Sequence, residues 1–402
     1  MPTTPTTMPP LAIRAYSATT ALGAGLAAQR DALRARRSGL RRNDFEGAPP
    51  LDTWIGRVDG IEAAPLPAHW AQWDCRNNRL AWLALQQDGL PDAVVAARER
   101  YRPQRVAIVL GTSTASIGAT EEAYARLDAD GAFPPDLRRA CLHTPHSLGG
   151  FVQAATGLRG PCVTVATACS SSAKVFAQAA RLLHAGVVDA ALVGGVDTLC
   201  GSVLFGFNAR GLVSSQPCRP FDAARDGLSL GEAGGFALLE RAEPGERGPQ
   251  LLGYGESSDA HHMSTPHPEG LGARMAMAEA LARAGVTPAE VGYLNLHGTA
   301  TPANDAVEAA AVAALFPATL HAGSTKGWTG HTLGAAGIVE SVFCLLAMVH
   351  GELPGTLNSA AADSACGPQV RLANARGEVR RAMNNSFGFG GNNCSLLFGV
   401  AA

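Results

Sequence analysis

Short apolar runs alternate along this chain with alanine-rich stretches of helical period, and that alternation most narrows the folds open to it. Val106 to Leu110 reads as a strand before Gly111, and Val187 to Val193 as one before Gly194. Gly235 to Leu239 reads as another, and Tyr293 to Leu296 leads into His297. Residues 273–284 and 306–315 carry helical spacing and are closed by breakers at Gly285 and Pro317. Strands separated by helices predict an α/β architecture. No internal repeat is detectable, so pattern alone favours one large doubly wound sheet. A chain of 402 residues, 47% hydrophobic and 16% charged, can bury a large core. The most apolar stretch, Ile338 to Val349, is too short to cross a bilayer and carries Glu340, so it reads as a buried helix and no membrane span is expected.

Charge excludes some functions. A formal net charge of -2 gives no basic footprint for nucleic acid. The first ten residues lack the basic start and apolar core of a secretory signal and read as a disordered lead-in, so a cytoplasmic location is expected. The 9 cysteines show no Cys-x-x-Cys or other zinc spacing; reduced thiols and no structural metal are expected.

One cysteine stands apart. Cys169 lies where the alternating run Val163-Thr-Val165 meets Ala173, Phe176, Ala177, Ala180 and Leu183 at helical spacing. At a strand-to-helix junction a thiol faces unpaired N–H groups and the positive end of the helix dipole, which can lower its pKa and make it a nucleophile. The other reading is a small buried hydrophobe, which is how the remaining eight are taken. His297 and His331 each sit among Gly and Thr near a short apolar run, the composition of a strand end or tight turn.

Several long segments carry a resemblance. Thr167-Ala-Cys-Ser-Ser-Ser172, His297-Gly-Thr-Ala-Thr-Pro-Ala-Asn-Asp305, Ser324-Thr-Lys-Gly-Trp-Thr-Gly-His331 and Asn385-Ser-Phe-Gly-Phe-Gly-Gly-Asn-Asn393 resemble the elongating β-ketoacyl-[acyl carrier protein] synthases. Arg219 to Gly227, Gly231 to Gly235 and Ser258 to Pro266 extend the match, which is dense from about Val106 onward and thin before it. The resemblance implies the thiolase fold, two pseudo-symmetric halves in a five-layer αβαβα sandwich. Residues 1–250 would form the half with the nucleophile, and 251–402 the half with both histidines. A homodimer is implied, or a heterodimer with a related chain.

The implied reaction is a decarboxylative Claisen condensation. Cys169 would take the acyl group from an acyl carrier protein, dividing a hard transfer into two easier steps. Neutral His297 and His331 would stabilise the enolate left when malonyl-carrier loses carbon dioxide, and the backbone N–H groups of Cys169 and Phe389 would hold the tetrahedral oxyanion. Lys326 would pair with Glu308 and order the histidines, with Asp305 in a similar part. Thr299 and Thr301 would bind the phosphopantetheine arm that carries the substrates; no other cofactor is implied. Phe387-Gly-Phe-Gly-Gly391 would act as a glycine-hinged gate. Phe207 would pack on the gated cysteine, and Thr114 would bound the acyl tunnel. Carrier proteins of this family's partners are acidic, which makes Arg76, Arg79 and Arg210 candidates for a basic docking rim. Asn304 stands where many members have Gly, and a left-handed backbone there is one that Asn tolerates.

Two rival readings meet objections in the residues. A non-catalytic chain-length partner keeps the fold but typically lacks the cysteine, and Cys169, His297, Lys326 and His331 argue against it. A serine hydrolase would want Gly-x-Ser-x-Gly, which this chain lacks. General fatty-acid elongation and specialised aryl polyene or type II polyketide assembly share the same catalytic set, so both stay open.

Overall fold

In a computed structural model that describes residues 7–45 and 51–400, two long strands meet edge to edge at the middle of the molecule. Leu11–Thr20 and Pro249–Ser258 pair there only through Leu11 with Leu251 and Ala12 with Gln250. Outward from Leu11–Thr20 come Ala233–Arg241, Ala190–Asp197, Val106–Gly111 and Cys162–Val165, paired antiparallel, antiparallel, parallel and parallel. Outward from Pro249–Ser258 come Asn392–Val400, Arg381–Gly388, Tyr293–Asn295 and His321–Gly323, with the same succession. Each central strand even carries a register shift near its start, at Ile13/Ala15 and Leu251/Gly253. The pseudo-twofold relation of the thiolase fold is written in this pairing order. It lies beyond the reach of periodicity, which reports that strands alternate with helices but not which strands neighbour one another.

Two helices form the middle layer between the half-sheets. Ser171–His184 follows the Cys162–Val165 strand, and Ala336–His350 follows the His321–Gly323 strand through the loop that holds His331. Both are buried over most of their length, as layers covered on two faces must be. Small residues let them cross closely: a Cβ on Gly337 would come within 2.3 Å of the Ala173 nitrogen. At that crossing the Ile338 N–H donates to Ser172 Oγ (2.9 Å). Phe176 on the first helix meets Phe398 on a strand of the second half edge to face, so the two halves share one core. The outer layers are Arg76–Leu85, Leu90–Tyr101 and Ser147–Thr156 on one side and Leu271–Ala284 and Pro302–Leu315 on the other.

Most expected elements sit where the residues placed them, with three differences. The strand expected from Val187 starts at Ala190, because Gly186 ends the preceding helix in a left-handed turn that leaves Val187 half exposed. Of the expected lead-in, residues 1–6 lie outside the described residues. Met8 and Pro9 are tied down instead, the Met8 N–H donating to the Arg283 carbonyl and the Pro9 carbonyl accepting from His184 Nε2. Asn304 is not left-handed: it stands in the first turn of Pro302–Leu315 and donates to Asp305 Oδ1. The apolar segment around Ile338 is the central helix, and its Glu340 is buried against a lysine.

Candidate active site

The nucleophile candidate sits on a strained corner. After Cys162–Val165 the chain makes a short turn, Ala168–Ser170, in which Ala168 has φ of 54°. A left-handed alanine persists only when its surroundings hold it. Here the serines of the Cys-Ser-Ser-Ser run do so: the Thr167 N–H donates to Ser171 Oγ, Ser171 Oγ donates to the Ala168 carbonyl, and Ser170 Oγ donates to the Thr167 carbonyl. The result sets Cys169 just ahead of Ser171–His184 with 5% of its surface exposed.

The two histidines come from the other half. His331 Nε2 lies 3.0 Å from Cys169 Sγ, and the His297 and His331 rings stand edge to face with centroids 5.4 Å apart. The Leu333 N–H donates to His331 Nδ1 (3.2 Å), which puts the ring proton on Nε2, aimed at the sulfur. Burial, with the Lys326 charge beside them, holds both imidazoles well below their ordinary range, so they stay neutral donors. The thiol moves opposite to the expectation. Burial pushes Cys169 up to about 11, while the Lys326 charge and the backbone N–H groups of Phe389 and Cys169 act against the rise. The helix N-terminus expected to lower the thiol does not overcome its desolvation.

Sγ and the two rings bring three donor atoms within 4.8 Å of one another, the spacing of a metal site. The hydrogen bonding does not fit one. A metal on His331 Nε2 would shift the proton to Nδ1, where the Leu333 N–H already points.

Charge is organised differently from the expectation. Lys326 Nζ pairs with Glu340 Oε1 at 2.5 Å and donates to the His297 carbonyl; its partner is not Glu308. Glu308, from the Pro302–Leu315 helix, accepts the N–H groups of His297 and Gly298 at 2.8 Å each and one from Asn385 Nδ2. It clamps the backbone of the histidine loop, and burial pushes it up to about 7. Asp305 takes the N–H groups of Phe221 and Ala300, two non-glycine residues at positive φ (60° and 68°). Glu340 was legible as a carboxylate inside an apolar run, a position that demands a partner.

Cys169, His297 and His331 line a cavity of about 470 Å³. Thr299 and Thr301 stand at its wall with hydroxyls 2.8 Å apart, Arg210 is on its rim, and Phe207 stacks on Phe389 at 5.7 Å. Phe387 packs near His297, and Gly390 and Gly391, between Phe389 and Asn392, both have φ above 70°. The segment from Asp259 to Pro266, matched in the sequence without an assigned role, forms the facing wall. Its Met263 carbonyl accepts the Gly390 N–H, and its Asp259 N–H donates to the Gly391 carbonyl.

Three expected residues are not brought to this cavity as foreseen. Thr114 lines a separate cavity of about 300 Å³, its N–H and hydroxyl both held by Asp197. Arg76 is committed to buried Glu232 and to Glu62, and Arg79 to Asp74. Both are tied up in ion pairs, whereas Arg210 is exposed at the cavity rim.

Comparison with known proteins turns this geometry into a family. The β-ketoacyl synthase N-terminal domain matches residues 77–244 and the C-terminal domain residues 250–360. The 3-oxoacyl-[acyl-carrier-protein] synthase 2 of Staphylococcus aureus is 31% identical over 331 residues, 76% of this chain and 82% of that enzyme. The chain belongs to the β-ketoacyl synthase family. The mitochondrial 3-oxoacyl-[acyl-carrier-protein] synthase of Arabidopsis thaliana is 39% identical over 269 residues, 62% of this chain and 58% of that enzyme. Among solved structures, one from the Xenorhabdus doucetiae ketosynthase (ApeO) in complex with its chain length factor (ApeC) superposes with a TM-score of 0.89 at 35% identity, covering 98% of both chains. A β-ketoacyl synthase from Burkholderia phymatum gives 0.86 at 28%, covering 98% of this chain and 100% of that one. This ketosynthase is thus an acyl-transferring enzyme whose reaction is Claisen condensation.

Proposed function

We propose that this ketosynthase elongates acyl chains delivered by an acyl carrier protein, with Cys169 as the acyl-bearing nucleophile and His297 and His331 as the decarboxylation pair. The observation that carries the reading is the neutral, Nε2-protonated His331 set 3.0 Å from a buried thiol, with a second neutral histidine at right angles to it.

In the first half-reaction Cys169 sulfur attacks the carrier thioester, the thiol proton passes to the departing phosphopantetheine sulfur, and the acyl group stays on the enzyme. Malonyl-carrier then loses carbon dioxide. The electron pair left behind forms an enolate whose oxygen takes hydrogen bonds from the two ring N–H groups. Its carbon attacks the acyl-cysteine carbonyl, the oxyanion rests on the N–H groups of Phe389 and Cys169, and the sulfur leaves as thiolate and regains its proton from solvent. Donors of this type are worth roughly 3 kcal/mol each at the transition state. Lys326, paired with Glu340, adds to the burial that keeps both imidazoles unprotonated and holds the His297 carbonyl. Thr299 and Thr301 hold the phosphopantetheine amides, Phe207 and Phe389 close over the loaded cysteine, and Arg210 meets the acidic carrier.

Fatty acyl chains are the primary reading, supported by relatives named for 3-oxoacyl-carrier synthesis. A second reading, specialised elongation beside a chain-length partner, is favoured by the full-length similarity to chains from ketosynthase and chain length factor complexes. Intact-protein mass spectrometry after incubation with short, long, unsaturated and aryl-polyene acyl carriers tests both. An acyl mass on the Cys169 peptide from saturated carriers supports the first reading, and loading from polyene carriers alone moves the assignment to the second. No adduct from any carrier overturns the role of Cys169.

A further inference from the structure

The turn after His331 has a counterpart in the first half of the molecule. Ala168–Ser170 leads into one central helix with Ala168 at φ of 54°, and Leu333–Ala335 leads into the other with Leu333 at 56°. Gly334 therefore occupies in the second half the place that Cys169 occupies in the first. A side chain is shut out there: a Cβ on Gly334 would lie 2.5 Å from Asp197 Oδ2 and 2.6 Å from the Ser113 nitrogen.

Asp197 ends the Ala190–Asp197 strand and is fully buried. Its Oδ2 accepts the Gly334 N–H at 2.6 Å and the Ser113 N–H at 2.7 Å. Its Oδ1 accepts the Thr114 N–H and the hydroxyls of Thr112 and Thr114. Five donors thus converge on a buried carboxylate that touches neither the cavity nor Cys169 in any described contact. A left-handed leucine needs holding from outside, and the residue next to it is held by this carboxylate. The Leu333 N–H in turn is the group that keeps the His331 proton on Nε2.

We propose that Asp197 is a positioning residue for decarboxylation: by fixing the Leu333–Gly334 turn it locks His331 in the tautomer that points Nε2–H at the reaction centre. This inference rests on the assignment of His331 to decarboxylation. Asp197→Asn keeps the shape but leaves one acceptor oxygen for five donors, so the turn loses its hold.

The test is nitrogen NMR of the full-length enzyme labelled with 15N-histidine, with the His331 signals identified by their loss in His331→Ala. The wild type is expected to show Nε2 protonated and Nδ1 bare. Asp197→Asn is expected to show a mixture of tautomers and about a tenfold fall in carbon dioxide release from malonyl-carrier, with KM within about twofold of wild type. Thr112→Val, which leaves the Gly334 bond in place, is expected to keep the wild-type tautomer. A single Nε2–H tautomer in Asp197→Asn overturns the proposal, as does an equal loss of the tautomer in Thr112→Val. Should Asp197→Asn not fold, the wild-type spectrum decides, because an Nδ1-protonated or doubly protonated His331 at neutral pH overturns it too. Unchanged carbon dioxide release in His331→Ala would instead strike the catalytic assignment while leaving the tautomer lock standing.

Discussion

The Cys169 thiol and the two imidazoles respond to the same burial in opposite senses, and that separates the pH dependence of the two half-reactions. Burial disfavours the charged form, so it raises the thiol to about 11 and lowers both histidines well below their ordinary range. Below a raised thiol pKa the thiolate fraction grows about tenfold per pH unit, so acyl loading is expected to rise steadily between about pH 6 and 9. The histidines are neutral across that window, so carbon dioxide release by the preloaded enzyme is expected to stay flat. Single-turnover loading and release measured separately check both, and an acidic limb near the ordinary histidine range in the release step would refute the neutral-donor role. Lys326 and Glu340 offer a second test. They are 1% and 4% exposed, so Lys326→Met strands a buried carboxylate at a cost of about 3–5 kcal/mol. Adding Glu340→Leu removes the stranded charge. Denaturant titration is expected to show stability recovered in the double variant, while decarboxylation stays low because the His297 carbonyl has lost the ammonium that holds it.

At the scale of elements, the crossing of the central helices sets the distance between Cys169 and the histidines. Ser171–His184 starts two residues after Cys169, and Ala336–His350 starts five after His331. Gly337→Ala improves helix propensity by up to about 1 kcal/mol. The new methyl would nevertheless meet Ala173 backbone at 2.3 Å and its Cβ at 2.8 Å. Overpacking of this kind costs about 1–3 kcal/mol. The variant is expected to unfold at lower denaturant and to load Cys169 more slowly; a more stable variant would show that the crossing is loose. These helices also mark where the residues were readable. Ser171–His184, Leu271–Ala284 and Pro302–Leu315 announced themselves by period and by the breakers Gly285 and Pro317, and Cys169 by the junction it occupies. The long motifs marked residues that the fold brings to one cavity: both histidines, Thr299, Thr301, Phe387 and Phe389. The Lys326 partner was not readable, because Glu308 and Glu340 are both buried carboxylates on helices and only the packing decides which faces the lysine. Asp197 gave no sign at all, since its importance lies in five donors drawn from two distant loops. The pairing order of the strands was equally hidden, because the halves share topology without sharing sequence.

The whole molecule carries almost no net charge, so any steering of a carrier must come from a local patch. Of the three arginines expected to supply it, Arg76 and Arg79 are spent on internal carboxylates. Glu232 is fully buried and accepts Arg76 together with the N–H groups of Val58 and Leu199, so it knits the chain before the first outer helix to the strand region behind the cavity. Arg76→Ala would leave that carboxylate without its cation, and the expected result is a less stable enzyme with an ordinary KM for carrier substrate. Arg210 is exposed on the cavity rim, one helical turn from Phe207, where a charge would be felt by an incoming acidic carrier before its arm enters. Reversing it, Arg210→Glu, is expected to lower kcat/KM for carrier-bound substrate about tenfold at low ionic strength, with kcat nearly unchanged. Exposed charges are screened beyond about 10 Å at 0.1 M salt, so the difference from wild type should shrink as salt is raised, and should be absent for acyl groups on pantetheine alone. Equal losses on carrier and pantetheine substrates, independent of salt, would mean that Arg210 shapes the cavity and that docking is directed by some other part of the surface.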